Sequence, residues 1–226
     1  MKILLLSDIH GYLDGIIHAR NYCVKEHVHS VILMGDYSVG IKEASQNRVD
    51  ATYSIEVLKE NAKILAIPGN TDQISLVDVF KKEGVNLHDT VVEIDGVSFV
   101  GFGGSNPTPF RTPTEFTEEE IKQRIGAHLT RLKKEGKTKV VLIVHFPPKD
   151  TACDKLPNGL HVGSQSLRAL IEEYQPAACF VGHIHEAGGT FDKIGGTIVH
   201  NVGKLDLGGA SVFDTQTLIA TPASIE

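Results

Sequence analysis

A chain of 226 residues, 41% hydrophobic and 22% charged, is long enough to bury a substantial core and has the balance of an ordinary globular protein. No stretch approaches the roughly 18 consecutive apolar residues that a membrane span needs, so no membrane partner is expected. With 22 basic against 28 acidic residues, a net charge of −6 and no long run of Lys or Arg, a nucleic-acid polymer is an unfavoured partner, because that affinity comes from neutralising phosphates.

Cys23, Cys153 and Cys179 are odd in number, widely spaced and form no Cys-x-x-Cys pair. They predict reduced thiols, with Cys179 in the core, rather than a disulfide framework or thiolate zinc site. The first apolar run is too short for a signal-peptide core, and a cytoplasmic location is expected.

In chain order, the apolar run Ile3–Leu6 reads as a strand buried on both faces. Asp8 and His10 follow it two residues apart, so an extended backbone would point both the same way, and Gly11 lets the chain turn. A helix is expected over Asp14–His27 with Asp14 as its cap. The strand Ser30–Met34 then reaches Gly35-Asp36, and a strand–helix–strand unit makes these first strands parallel. A helix over about Val49–Asn61, with Tyr53, Val57 and Leu58 inward, leads to strand Lys63–Pro68 and to Gly69-Asn70. Asp72 reads as the N-cap of a helix over Gln73–Phe80.

The alternation then changes to a hairpin, Thr90–Ile94 and Val97–Phe102 around Asp95-Gly96. The Gly- and Pro-rich stretch Gly103–Phe110 reads as a plain turn. Thr117-Glu118-Glu119-Glu120 is a capping box opening a helix to about Lys134. Strand Lys139–Val144 ends at His145, and Phe146-Pro147-Pro148 cannot continue it. The loop from Lys149 to Gly163, carrying Asp150, Asp154, Asn158 and His161, is long enough to suggest a wall or lid. Ser164 caps a helix to about Tyr174, and strand Ala178–Val181 delivers Gly182-His183-Ile184-His185. Thr197–Val202 and Ala210–Asp214 read as a second hairpin. With no linker or internal repeat, one domain over residues 1–226 is expected.

One arrangement recurs five times: an apolar strand hands a polar side chain to its C-terminal rim, where sites assemble in α/β sheets. The resulting set is Asp8, His10, Asp36, Asn70, His145, His183 and His185. Imidazole and carboxylate without thiolate suit Mn, Fe, Zn, Co or Ni better than an all-oxygen Mg or Ca site. Seven donors exceed one tetrahedral ion and suit two divalent ions about 3.5–4 Å apart sharing a carboxylate. Two such ions against two carboxylates leave the pocket about +2, which attracts an anionic small substrate inside an acidic protein.

Asp8-Ile9-His10, Gly35-Asp36, Gly69-Asn70-x-Asp72, His145 and Gly182-His183-Ile184-His185 together resemble the calcineurin-like metallophosphoesterase superfamily. The resemblance implies an α/β fold, a four-layer α/β/β/α sandwich of two mixed β-sheets flanked by helices. It implies one ion on Asp8, His10, Asp36 and His185, a second on Asp36, Asn70, His145 and His183, and hydrolysis of a phosphate ester by attack of a metal-bridging hydroxide. Manganese is the first choice of metal and a small phosphorylated molecule the substrate; homo-oligomerisation is left open. Many relatives carry a proton-donating His directly after the Asn, where this chain has Thr71. A missing general acid, typically worth about 10²–10⁴ in rate, points to phosphodiesters rather than phosphomonoesters, with His161 as the candidate substitute. The alternative is a metal-binding protein-interaction scaffold of the same fold with little or no turnover, similar to the metallophosphoesterase-fold subunit of the retromer coat.

Overall fold

The computed structural model describes residues 1–225; Glu226, at the end of the expected domain, lies outside the described residues. Two mixed sheets are flanked by helices. The first sheet takes β1 (Lys2–Leu6), β2 (Ser30–Leu33), β3 (Lys63–Ala66), β10 (Ala210–Asp214) and β11 (Ile219–Pro222) in the order β11-β10-β1-β2-β3. The second takes β4 (Thr90–Ile94), β5 (Val97–Phe102), β6 (Val140–Val144), β7 (Ala178–Val181), β8 (Phe191–Ile194) and β9 (Thr197–Asn201) in the order β4-β5-β6-β7-β9-β8. β1, β2 and β3 run parallel, as do β5, β6, β7 and β9. All five strands that carry candidate residues are therefore central or parallel strands, and their C-terminal ends reach one rim.

Three apolar clusters fill the three interfaces of the four layers. Helices α1 (Leu13–Glu26), α2 (Ala44–Lys59) and α3 (Leu76–Lys82) cover the first sheet, while α4 (Glu118–Lys134) and α5 (Gln165–Tyr174) cover the second. In β1 the alternation of an extended chain divides the side chains: Leu4 and Leu6 pack under the helices, Ile3 and Leu5 between the sheets. This explains why the strand reads as an unbroken apolar run: neither face meets water. All three cysteines are buried free thiols. Among the described residues no helix is long and apolar enough to cross a membrane.

Local signals with their own hydrogen bonds come out at the expected positions. β4 and β5 pair antiparallel about Asp95-Gly96, both at positive φ (51° and 75°). Thr117 and Glu120 form the reciprocal capping box of α4, and Ser164 caps α5 through the Leu167 N–H. Other boundaries move. α1 begins at Leu13 with Tyr12 at the N-cap, so Asp14 lies in the first turn, where its charge still favours the positive helix end. α2 starts at Ala44 and buries Ala51, Ile55 and Leu58, with Tyr53 and Val57 only half-buried.

The expected second hairpin is not formed. β9 lies in the second sheet beside β7 and β8, whereas β10 pairs antiparallel with β1 in the first. Gly203–Gly209 carries the chain between sheets, and the true C-terminal hairpins are β8–β9 and β10–β11. Alternation within a strand shows which residues are buried but not which sheet buries them.

Candidate functional site

The seven residues converge from both sheets. Asp8 and His10 leave β1, Asp36 follows β2 and Asn70 follows β3; His145 follows β6, and His183 and His185 follow β7. Four of them stand in the left-handed region: Asp8 (φ 51°), His10 (43°), Asp36 (55°) and His183 (67°). Such backbone is uncommon for residues with a Cβ and clusters at functional sites. His10 therefore shares the site with Asp8 by a tight turn, its N–H bonding the Asp36 carbonyl, not by simple alternation along an extended strand.

Glycines let the turns touch. A Cβ on Gly35 would overlap the Gly69 backbone, one on Gly69 would strike the Asp36 carboxylate, and one on Gly182 would strike Ser7 and Asp8.

Each carboxylate has one oxygen tied and one presented. Asp8 Oδ2 accepts from Ser7 Oγ (2.6 Å) and the His183 N–H (3.1 Å), leaving Oδ1 3.1 Å from His185 Nε2 and 3.8 Å from His10 Nε2. Asp36 Oδ1 accepts the Thr71 N–H (3.0 Å), leaving Oδ2 3.6 Å from both His10 Nε2 and His145 Nε2. His10 and His185 meet Nε2 to Nε2 at 3.1 Å. His145 donates its Nδ1–H to the Met34 carbonyl (2.7 Å), which turns Nε2 toward Asn70 Oδ1 at 3.1 Å.

For His10 and His145, whose Nδ1–H is spent on the Ser38 and Met34 carbonyls, Nε2 is a lone pair facing the Asp36 carboxylate and, for His145, the Asn70 amide oxygen, so acceptor meets acceptor. A positive charge between them, a proton or a metal, makes those contacts favourable, whereas His185 Nε2–H can donate to Asp8 Oδ1. In the metal-free chain protons serve. Burial alone would lower the His145 pKa, but the Asp36 carboxylate overrides it and raises it to about 9. Burial likewise pushes Asp36 and Asp8 upward, yet His145 for the first, and His185 with His145 for the second, hold both below the usual carboxylate range. His185 is raised by its hydrogen bond to Asp8. Among the described residues two groups of side chains suit a metal ion, Asp8 with His10 and His185, and Asp8 with Asp36 and His145; the donor atoms within each lie within 4.8 Å of one another. The donor chemistry therefore fits divalent cations.

His183 stands beside these groups: its ring lies 5.4 Å from that of His145, and burial followed by the His145 charge lowers its pKa to about 4. His161 stands in the loop after β6, its Nδ1 2.6 Å from the buried Asp154 Oδ1. Asp154 also accepts the N–H groups of Asp150, Thr151 and Gly163, so the loop is folded around this carboxylate.

Asp72 is not a helix cap. α3 starts at Leu76 behind Ser75, and Asp72 is wholly buried, accepting from the Asp36, Tyr37 and Gly69 N–H groups (2.7, 3.1 and 2.8 Å) and from Asn47 Nδ2 (2.7 Å). It ties the turn after β2 to the turn after β3, and burial followed by the charge of Asp36 raises its pKa to about 6. An acid two residues beyond the Gly-Asn turn was the signal, but apart from Gly69 its partners are 25 to 36 positions away.

The profile of the calcineurin-like phosphoesterases matches residues 1–187, which include all seven residues. The chain belongs to the calcineurin-like phosphoesterase family. As a member it carries the family's metal-dependent phosphoester-hydrolase character. Protein MJ1162 of Methanocaldococcus jannaschii is 35% identical over 205 residues, covering 89% of this chain and 87% of its own. Among solved structures, TT1561 of Thermus thermophilus superposes with a TM-score of 0.74 at 18% identity, covering 100% of this chain and 99% of its own. A dimetal phosphatase from Danio rerio gives 0.64 at 12% identity, covering 94% and 91%. A novel archaeal phosphodiesterase gives 0.52 at 20% identity, covering 98% of each. At these identities the structures establish the shared phosphoesterase fold.

Proposed function

We propose that this calcineurin-like phosphoesterase is a phosphodiesterase working with two divalent cations, one held by Asp8, His10, Asp36 and His185, the other by Asp36, Asn70, His145 and His183. The observation that carries the reading is Asp36 Oδ2, 3.6 Å from an imidazole nitrogen on either side, where one oxygen can be shared between two ions. Bound cations, with manganese the first choice over Fe, Zn, Ni or Co, would supply charge neutralisation for the phosphoryl oxygens and an activated water.

The chain's own groups set the rest. Asp8 and Asp36 are kept ionised with one oxygen each free, and His10 and His145 are oriented by the Ser38 and Met34 carbonyls so that Nε2 faces the site. Thr71 offers its N–H to Asp36 and cannot donate a proton to a leaving oxygen near neutral pH. The Asp154-oriented His161 is the side chain we assign to that role, through Nε2. A weakly basic leaving alcohol, as in many diesters, reduces the need for it. A cavity of about 220 Å³ beside His185, walled by Gly188, Gly189, Gly203 and Gly209, has room for the second ester group of a small substrate. Because β10 returns to pair with β1, the same reading treats residues 1–226 as one domain, and we place it in the cytoplasm.

The test is metal analysis of the purified protein with manganese-dependent hydrolysis of an aryl phosphodiester and the matching monoester. Two metal equivalents and a faster diester rate are expected, and His161→Ala should lower diester turnover by about 10² or more. A monoester rate equal to or above the diester rate would sink the diester assignment, unchanged turnover in His161→Ala would remove that residue, and absence of metal-dependent turnover would favour a binding scaffold.

A further inference from the structure

Asn70 is the one member of the set that cannot titrate, and its side chain has two ends of nearly equal shape and opposite polarity. Only the oxygen can serve a cation; the NH₂ end would repel one. Packing cannot choose between them, so hydrogen bonding must.

The choice is visible in the segment that follows the Gly- and Pro-rich stretch Gly103–Phe110. Asn70 Nδ2 donates to Thr112 Oγ1 at 3.1 Å, which leaves Oδ1 facing His145. A hydroxyl has a single hydrogen, and that of Thr112 is given to Glu115 Oε1 at 2.6 Å, so its lone pairs are what Asn70 meets. Glu115 is held in turn by the Thr112 N–H (2.7 Å), Thr108 Oγ1 (2.6 Å) and the Thr108 N–H (3.2 Å). A carboxylate only accepts, which fixes the direction of every bond in the chain: Asn70 to Thr112 to Glu115. The segment is anchored along the same turn, since the Thr114 N–H bonds the Asn70 carbonyl (3.1 Å) and Thr114 Oγ1 the Asp72 carbonyl (2.7 Å).

We infer that Thr112, with its hydroxyl polarised by Glu115, is a positioning residue that dictates which end of the Asn70 amide faces the second cation. The inference rests on the metal-pair reading above. Neither residue touches the reacting atoms; their effect passes through Asn70. Partners of this kind typically govern 10–100-fold in metal affinity.

The experiment is a calorimetric manganese titration of wild type, Thr112→Val, Thr112→Ala and Thr112→Ser, with thermal melting of the metal-free proteins beside it. Valine keeps the shape and alanine the space, and both remove the acceptor; serine keeps it. In whichever of Thr112→Val and Thr112→Ala melts like wild type, the second manganese should bind about 10–100-fold more weakly, the first should be unchanged, and turnover should recover in excess manganese. Thr112→Ser should bind both ions within about threefold of wild type, because the donor–acceptor order is intact. If wild type takes up two ions and the folded acceptor-less variants do so with equal affinity, this inference fails alone. A wild type that takes up fewer than two overturns it together with the metal-pair reading.

Discussion

His145 and His88 are both almost wholly buried, and each gives its Nδ1 to the backbone of a neighbouring segment, yet they have opposite chemistry. His145 Nδ1 donates to the Met34 carbonyl, so Nε2 faces the site with Asp36 and Asn70 before it. His88 Nδ1 accepts the Gly103 N–H at 2.9 Å, so the proton of the neutral ring sits on Nε2, which has no partner among the described residues. That ring packs near Phe102 and Phe116, with the Arg124 guanidinium over both. Burial and then Arg124 push its pKa down to about 4, whereas the Asp36 carboxylate raises that of His145 to about 9. Burial does not make a histidine a ligand. A carbonyl on one nitrogen and a carboxylate before the other do.

Replacing each ring tests this most severely. His145→Ala should cost about 10³-fold or more in turnover, the several kcal/mol of charge stabilisation that one ion supplies, and should remove one metal equivalent. His88→Asn, which keeps an acceptor for the Gly103 N–H, should leave turnover within about threefold, as befits a residue with no part in the chemistry. Equal losses in kinetic assays of the two variants would abolish the distinction.

A milder test follows stability of the metal-free protein with pH. His88 has a folded pKa near 4, below the ordinary 6.5, so its contribution is present above pH 6.5 and is lost as pH falls through 4. Its share of the loss is about 3 kcal/mol, and His88→Asn should flatten that part of a urea-denaturation series. His145 works the other way: with a folded pKa near 9, its contribution is present below pH 6.5 and is lost as pH rises through 9. Manganese binding at pH 7 should consequently release a proton, read from calorimetry in buffers of different ionisation enthalpy. Proton uptake would contradict the assignment.

The smallest effect separates the two causes at His88. Arg124→Met should raise the pKa of that ring only part of the way to 6.5 by NMR titration, because burial is the larger influence. A complete return would make Arg124 the main cause.

The sequence by itself determined nine of the eleven strands among the described residues, leaving β8 and β11 unread, and what the five apolar runs carry to their ends. Five apolar runs, the Asp95-Gly96 turn, the Thr117 box and the Ser164 cap are local, so their signals lie within a few positions of the residues they organise. The seven candidate residues were legible for the same reason. Only the tertiary structure decided the rest. Asp72 reads locally as a cap because its partners at Asn47, Asp36 and Tyr37 come from segments 25 or more residues away. Thr112 and Glu115 carry no local signal, and their role emerges only when Asn70, 42 residues from Thr112, is set beside them. Strands β9 and β10, neighbours in sequence, belong to different sheets because strand identity depends on alternation along one segment, while the choice of sheet depends on which distant edge offers unpaired backbone groups. His145 and His88 make the same point at one side chain each: the residue type is written in the chain, but its tautomer and charge are set by what folding places against each ring nitrogen.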